Sequence, residues 1–110
     1  MELNEYQNKA FETAIYPVQY SILYPTLGLC GESGEIAEKI KKLIRDENGI
    51  DSMSLETRGL LMREIGDVLW YVANLALDLG FSLDQIATAN LEKLASRKER
   101  GVLSGSGDTR

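Results

Sequence analysis

The sequence predicts an all-α protein, organised as a four-helix, bundle-like single domain of residues 1–100 followed by a short tail of residues 101–110. Three observations predict this class. Apolar residues recur every three or four positions over long segments, which is typical of amphipathic helices. Capping residues, Gly and Pro separate these segments where helices begin and end. The length of 110 residues suits one domain and falls short of the size at which a second is expected.

Prolines mark the boundaries of the first two helices. Asn4 suits the N-cap of a first helix that runs through Tyr16 and is stopped by Pro17. Pro25 fits the first position of a second helix, which extends to about Glu47. Seven side chains form the predicted core-facing stripe of this second helix: Leu29, Ser33, Ile36, Ala37, Ile40, Leu43 and Ile44.

Three glycines recur every third residue in the second helix, at Gly28, Gly31 and Gly34. Each costs roughly 0.5–1 kcal/mol relative to alanine in a helix, so the run predicts a close approach by another backbone or a ligand. Two lysines follow acids by four residues and are expected to form pairs along the helix: Lys39 with Glu35, and Lys42 with Glu38.

The third helix is predicted between Ser54, its N-cap, and Gly80, which ends it, after a stop at Asn48-Gly49. Its polar side chains fall at offsets of three, seven, ten and fourteen residues along an otherwise apolar cylinder. They are Glu64, Asp67, Tyr71, Asn74 and Asp78. These proportions predict a helix that is buried on most sides, with one line of acids and amides facing a partner.

Ser82 and Gln85 have the spacing of a capping box, so a fourth helix is predicted from Leu83 to about Arg100, with Gly101 as its stop. Its predicted core face consists of Leu83, Ala87, Leu91 and Leu94. Three side chains beside that face lie on one line where an anion could bind: Asn90, Lys93 and Arg97. The tail is rich in Gly and Ser, and this composition predicts disorder.

Composition excludes several classes of protein and site. The formal charge of −5, from 17 acidic and 12 basic residues, argues against a surface for a nucleic-acid polymer. Cys30 is the single cysteine and there is no histidine, which excludes a disulfide framework, a zinc site built from His or Cys, and a Glu-x-x-His di-iron centre within one chain. The N-terminus lacks a secretion signal and no apolar run approaches the ~20 residues of a membrane span, so we expect a soluble cytoplasmic protein with no membrane partner.

Two pairs of carboxylates share one spacing at apolar helix boundaries, Glu32 with Glu35 and Glu64 with Asp67. If the second and third helices pack antiparallel, as their short connection favours, the four acids can converge. Four carboxylates cannot all stay ionised in a small space without cations. Mg²⁺ is the cation expected first and Mn²⁺ second, and Mg²⁺ is usually bound together with substrate phosphates. The pattern therefore indicates phosphate chemistry.

These residues resemble the MazG-like all-α nucleoside triphosphate pyrophosphohydrolases. The resemblance begins with the two acid motifs, Glu32-x-x-Glu35 and Glu64-x-x-Asp67, and the 28 residues between them. It extends over nearly the whole chain through four segments: Leu3–Gln7, Leu29–Glu35, Glu64–Tyr71 and Asn90–Arg97. It implies Mg²⁺-dependent cleavage of nucleoside triphosphates, deoxynucleoside triphosphates in particular, between the α and β phosphates, yielding the monophosphate and pyrophosphate.

The resemblance also implies roles for individual residues. The metal ligands would be Glu32, Glu35, Glu64 and Asp67, with Mg²⁺ as the cofactor and Mn²⁺ as its substitute. The general base that takes a proton from the attacking water is left open between Glu35 and Glu38. The candidates for substrate binding are Lys93, Asn90, Arg97 and Tyr71.

A homodimer, or a homotetramer formed from two dimers, is implied by the resemblance and supported independently by the nearly all-apolar third helix. Two alternatives remain open for the function. One is a relative that acts on phosphoribosyl-ATP, dUTP or dCTP. The other is a non-catalytic helical oligomer whose acids bind a structural cation or a basic partner.

Overall fold

The computed structural model describes residues 1–110 and contains four α-helices and no β-strand. The helices are α1 (Leu3–Phe11), α2 (Leu23–Asp46), α3 (Leu55–Asp78) and α4 (Leu83–Glu99). Short 3-10 turns at Val18–Tyr20 and Ile50–Ser52 lie in the first two connections. The all-α class is confirmed, and no helix combines the length and the apolarity needed to span a bilayer.

The helices α2 and α3 pack side by side in opposite directions and form the long hairpin of the fold. Facing residues run in reverse order, since Gly28 of α2 lies against Tyr71 of α3 while Lys39 reaches Glu64. α1 packs against the C-terminal half of α3, and α4 contacts both. The buried core lies among these three helices and consists of Ala10, Ala73, Ala76 and Leu83, flanked by Tyr6, Trp70 and Val72.

Gln7 is the buried polar side chain that joins α1 to the corner between α3 and α4. Its Nε2 donates to the carbonyls of Ala73 at 3.2 Å and Phe81 at 3.0 Å. Its Oε1 accepts a hydrogen bond from the amide of Leu83 at 3.1 Å. Because buried amide groups are costly unless they are hydrogen-bonded, these three bonds fix the position of α1.

Capping contacts confirm the predicted boundaries of α3 and α4. Ser54 accepts a hydrogen bond at 3.1 Å from a backbone amide in the first turn of α3. Ser82 and Gln85 form the predicted capping box through bonds of 3.1 and 2.9 Å. Gly80 and Gly101 follow the two helices with φ of +85° and +70°, in the left-handed region that favours glycine.

The predicted start of α1 is wrong. The helix begins at Leu3, and the capping box there is formed by Glu2 and Glu5. Asn4, predicted as the N-cap of α1, accepts a hydrogen bond from the amide of Asp84 at 3.0 Å. This side chain therefore satisfies a free amide in the first turn of α4, a contact that depends on how the two helices meet.

The predicted end of α1 is also wrong. The helix stops at Phe11 rather than at Tyr16, so Pro17 is not what ends it. The hydroxyl of Thr13 donates to the carbonyl of Ala10 at 3.0 Å, which gives that carbonyl a partner other than the amide of a continuing helix. The segment after α1 is thereby free to turn toward α3.

The predicted core faces are buried only in part within one chain. On α3, Ile65 is 57% exposed and Leu69 is 40% exposed, so within one chain this helix is not buried on most sides. The other exposed members of the predicted faces are Ser33, Ala37 and Ile44 on α2, and Leu91 and Leu94 on α4. The radius of gyration is 17.0 Å, against about 13 Å expected for a compact chain of this length. The single chain is therefore open, and a large part of its apolar surface is uncovered.

The tail folds back on α4, although its composition predicts disorder. A terminal nitrogen of the Arg97 guanidinium donates to the carbonyl of Asp108 at 2.7 Å. Arg110 donates to three carbonyls within the tail at 2.7 to 3.2 Å. Gly105 and Gly107 adopt φ of +107° and +89°, which allows the sharp turns that these bonds require.

Candidate functional site

Three carboxylates converge on the α2–α3 hairpin. Glu32 and Glu35 lie one turn apart on α2, and Glu64 faces them from α3. One oxygen from each of the three lies within 4.8 Å of the other two. The antiparallel packing of the hairpin thus brings together three of the four acids that the sequence singles out.

Burial leaves two of these carboxylates with an oxygen that has no partner. The Oε2 atoms of Glu32 and Glu64 are buried and accept no hydrogen bond. Burial, followed by the negative charge of Glu35, raises the pKa of Glu32. Buried carboxylate oxygens without partners are costly, so a cation that binds them would stabilise this part of the fold.

Lys39 is the basic side chain that contacts the carboxylate group. Its Nζ lies 3.3 Å from Oε1 of Glu64 on the opposite helix. The predicted pairing of Lys39 with Glu35 along α2 is therefore wrong. The lysine instead bridges the two helices. Sequence spacing alone does not predict that its partner is Glu64.

Asp67, the fourth predicted acid, lies beside the group without joining it. Together with Glu32 it forms the acidic side of a cavity of about 340 Å³. The remaining lining residues are Thr13, Trp70 and Tyr71. The cavity is thus lined by both carboxylates and aromatic rings, and Glu32 belongs both to this lining and to the three converging acids.

Aromatic side chains continue this wall toward the connection between α1 and α2. Trp70 and Tyr71 pack edge to face with ring centres 4.9 Å apart, and the indole Nε1 of Trp70 donates to the hydroxyl of Thr13 at 2.8 Å. Tyr24 lies 6.5 Å from Tyr71 and stacks at 4.8 Å on Tyr16. The predicted candidate Tyr71 therefore lies in the cavity and is held by neighbours on two sides.

Two residues near the cavity were missed by reasoning from the sequence. Burial, followed by the negative charge of Asp67, raises the pKa of Tyr6 on α1. The helical spacing of Tyr6 indicated only a packing face. The predicted first helix includes Thr13, but α1 ends at Phe11. A correct prediction of that end would have shown that Thr13 lies in the connection and is available to the cavity.

Of the three glycines on α2, only Gly28 is closely approached within the chain. A β-carbon added there would lie within 2.5 Å of three ring atoms of Tyr71. No atom lies within 4 Å of the corresponding position at Gly31 or Gly34. At Gly28 the close neighbour is therefore a tyrosine ring of the cavity wall, rather than a backbone or a ligand. At Gly31 and Gly34 no other part of the chain approaches, and an approach by a ligand or a second subunit stays a prediction.

Asn74 and Asp78, the last members of the polar line on α3, do not line the cavity. Asn74 is 1% exposed, and its Nδ2 donates to the carbonyl of Trp70 at 3.1 Å. Oδ2 of Asp78 accepts hydrogen bonds from the hydroxyl of Tyr16 at 2.8 Å and from the amide of Ile22 at 2.9 Å. Asp78 therefore fastens the connection between α1 and α2, which explains a polar residue for which the sequence offered no role.

Glu38, one of the two predicted general bases, lies outside the carboxylate group. Its two oxygens accept hydrogen bonds from Lys41 at 2.9 and 3.0 Å, so the predicted pair with Lys42 is wrong. The hydrogen bond from Lys41 lowers the pKa of Glu38. A weaker base that already has a partner is poorly suited to taking a proton from water.

The cationic line on α4 is separate from the carboxylate group within one chain. Lys93 Nζ lies 2.8 Å from Oδ1 of Asp108, and the buried Arg97 contacts the same oxygen at 3.3 Å. Asn90 and Lys93 line a different cavity of about 580 Å³ on α4. Lys93 and Arg97 thus contact the tail, and none of the three predicted phosphate-binding residues is paired with the carboxylate group.

The donor set of the carboxylate group fits a hard divalent cation. Its members are all carboxylates, two of them have a buried oxygen without a partner, and no nitrogen or sulfur ligand is present. Mg²⁺ and Mn²⁺ are bound by such oxygen ligands in proteins. The arrangement can therefore hold a cation beside a cavity with an aromatic wall.

Comparisons with known proteins show to which family this chain belongs. The model of the MazG nucleotide pyrophosphohydrolase domain matches residues 23–102. The chain is 47% identical over 116 residues to the "Gene 37 protein" of Mycobacterium phage L5, and the alignment covers 100% of both chains. No solved structure matches the chain. The match spans both acid motifs and the α4 cations, and this chain belongs to the MazG nucleotide pyrophosphohydrolase family.

Proposed function

We propose that this protein hydrolyses nucleoside triphosphates, and deoxynucleoside triphosphates in particular, between the α and β phosphates. The products are the nucleoside monophosphate and pyrophosphate, and the reaction requires Mg²⁺. The observation that carries the proposal is the group of Glu32, Glu35 and Glu64, in which two carboxylates have a buried oxygen without a partner. Membership of the MazG family supports the substrate class.

The proposed metal ligands are Glu32, Glu35 and Glu64, completed by Asp67 from the cavity side. Bound there, Mg²⁺ would supply charge neutralisation for the triphosphate and a lowered pKa for a water molecule. These carboxylates would hold the cation, and the packing of the hairpin fixes the spacing of Glu32, Glu35 and Glu64. The aromatic residues that line the cavity, Trp70 and Tyr71, would offer an apolar surface for the substrate.

Glu35 is the better candidate for the general base. It is an exposed member of the carboxylate group, so a water molecule can reach it. Glu38 is bound to Lys41 and lies outside the group. Because a general base must lie within hydrogen-bond reach of the proton that it takes, the position of Glu35 favours it.

The proposal includes a homodimer, or a tetramer of two dimers, in which α4 of one subunit supplies cations to the acids of another. Two observations support it. The chain is open and leaves apolar side chains of α3 and α4 uncovered. The candidates for phosphate binding, Lys93, Arg97 and Asn90, do not line the acidic cavity of their own chain.

A panel of nucleotides with Mg²⁺ tests the reaction. We expect release of pyrophosphate, rather than phosphate, together with a nucleoside monophosphate that is identified by ion-exchange chromatography. Glu35→Gln and Asp67→Asn should abolish turnover with little loss of helicity, because neutralising either acid relieves repulsion among the proposed metal ligands. Glu92→Gln, an exposed acid of α4, is the matched control and should turn over normally. No turnover of any nucleotide would refute the enzyme and favour a cation-binding oligomer.

Complementation tests the shared site. Sedimentation first gives the oligomeric state. Glu35→Gln and Lys93→Ala subunits, each inactive or weakly active alone, are then mixed and reassembled. In a random mixture of dimers, about a quarter of the sites would combine wild-type acids with a wild-type lysine. Recovery near that level supports cations from a second subunit, and no recovery would contradict it.

A further inference from the structure

Lys39 carries the positive charge that lies closest to the carboxylate group, and this charge belongs to the chain itself. We propose that Lys39 is a built-in counter-ion, which lets the acids of α2 and α3 gather in the absence of a divalent cation and which lowers their affinity for one. The inference rests on the proposed metal site. It assigns Lys39 no contact with substrate, so the residue tunes the site without being catalytic.

The geometry allows the lysine and a metal to act on the same acid. Lys39 Nζ lies 3.3 Å from Oε1 of Glu64, while Oε2 of Glu64 is buried without a partner. The Glu64 side chain is 16% exposed and that of Lys39 is 38% exposed. The lysine thus approaches from the solvent side and leaves the buried oxygen available. A lysine charge on a flexible stem can also retreat when a cation binds.

The positive charge of Lys39 acts on the site both without and with a metal, and both effects weaken metal binding. Without a metal, three carboxylates whose oxygens lie within 4.8 Å repel one another, and a positive charge beside Glu64 relieves part of that repulsion. With a metal, the same positive charge repels the incoming dication. Removing the charge therefore destabilises the metal-free state and favours the metal-bound state, so both effects tighten metal binding.

The rest of the chain offers a matched control. Lys41 lies two residues further along α2 and pairs at 2.9 Å with Glu38, which is not a member of the carboxylate group. Both partners of that pair are more than half exposed. The two lysines share a helix and a charge, and they differ in whether the acid that they contact belongs to the proposed metal site.

The test is calorimetric titration of Mn²⁺ into the full-length protein, with a thermal melt of each metal-free variant. We expect Lys39→Met to bind Mn²⁺ roughly threefold to tenfold more tightly than wild type, the range expected for a unit charge repelling a dication across a solvated distance. Its metal-free form should melt at a lower temperature. Lys41→Met should match wild type in affinity. Lys39→Arg, which keeps the charge, should also match wild type. This variant distinguishes loss of the charge from replacement of the lysine side chain.

The outcomes separate this inference from the proposed function. Unchanged affinity in Lys39→Met overturns the counter-ion role, and weakened affinity also overturns it, because a loss would mean that the lysine positions Glu64 for the metal. In both cases binding by wild type leaves the metal site standing. If wild type itself does not bind Mn²⁺, the metal site fails and the inference fails with it. A tightening that shrinks at high salt supports the electrostatic origin.

Discussion

The contact between Gly28 and Tyr71 predicts that a single methyl group will disturb the cavity wall. In Gly28→Ala, the added β-carbon would lie within 2.5 Å of three atoms of the Tyr71 ring. Non-bonded carbon atoms prefer about 3.5–4.0 Å, so the ring must retreat by roughly 1 Å or more. It cannot do so freely, because Trp70 packs edge to face on it at 4.9 Å.

Two opposing contributions set the size of the effect. Overpacking of this kind typically costs about 1–3 kcal/mol. Replacing glycine by alanine inside a helix gains about 0.8–1.0 kcal/mol, because the unfolded chain loses freedom. Gly31→Ala, on the same helix with no atom within 4 Å of the new methyl, should show the gain without the cost. The two variants should therefore differ by about 1–3 kcal/mol, the packing cost alone.

Urea unfolding of both variants, followed by circular dichroism, measures this difference. We expect Gly31→Ala to be at least as stable as wild type and Gly28→Ala to be the less stable of the pair. Binding of nucleotide should also weaken only in Gly28→Ala, since the displaced ring belongs to the cavity wall. Equal stability of the two variants would refute the packing of Tyr71 against α2. A loss in Gly31→Ala that depends on protein concentration would instead indicate that a second subunit packs there.

Three further predictions concern the contacts that hold the connections and the tail. Gln7→Ala removes the three hydrogen bonds of the buried amide, and it should lower the free energy of unfolding by about 2–4 kcal/mol in urea titration. Asn8→Ala, at the exposed next position, should be nearly neutral. Asp78→Ala removes the acceptor that holds the segment before α2, and hydrogen exchange there should rise by about tenfold or more if one such bond contributes ~1.5 kcal/mol; unchanged exchange would contradict the fastening role. The hydrogen bond and charge of Lys93 lower the pKa of Asp108 below its ordinary value of 3.8, so the tail contact should persist at neutral pH and be lost as the pH falls through that lowered pKa. Amide exchange of residues 102–110 against pH measures this loss, and Asp108→Asn should abolish its pH dependence.

The parts of the fold that the sequence predicts are those that depend on neighbours along the chain. Ser54, Ser82 and Gly80 cap or end their helices as expected, because a cap uses amides and carbonyls within one turn. The two acid pairs can be predicted for the same reason, because side chains three positions apart on a helix lie on the same face. Their convergence needed one further assumption, the antiparallel hairpin.

The parts that the sequence does not predict depend on contacts between helices. Asn4 looks like an N-cap for α1, yet its partner is an amide of α4. Lys39 has an acid four residues before it, yet it reaches Glu64 on α3. In each case the local partner and the distant partner are chemically equivalent, and only the packing angle decides between them. Leu91 illustrates the same limit, because helical spacing marks it as apolar but does not say whether its own chain covers it.

The hydrogen bonds of Gln7 have a consequence for the order in which the chain can fold. Its partners lie 66 to 76 residues further along the sequence, at Ala73, Phe81 and Leu83. A ribosome that releases the N-terminus first therefore exposes α1 long before the corner that receives it has been made. The α2–α3 hairpin, whose contacts are closer in sequence, has a lower loop-closure cost and can form earlier. Although α1 is synthesised before α2, α3 and α4, it would then be among the last of the four helices to dock. The aromatic wall of the cavity, which needs Thr13 and Tyr16 in place, would be completed only at the end of folding.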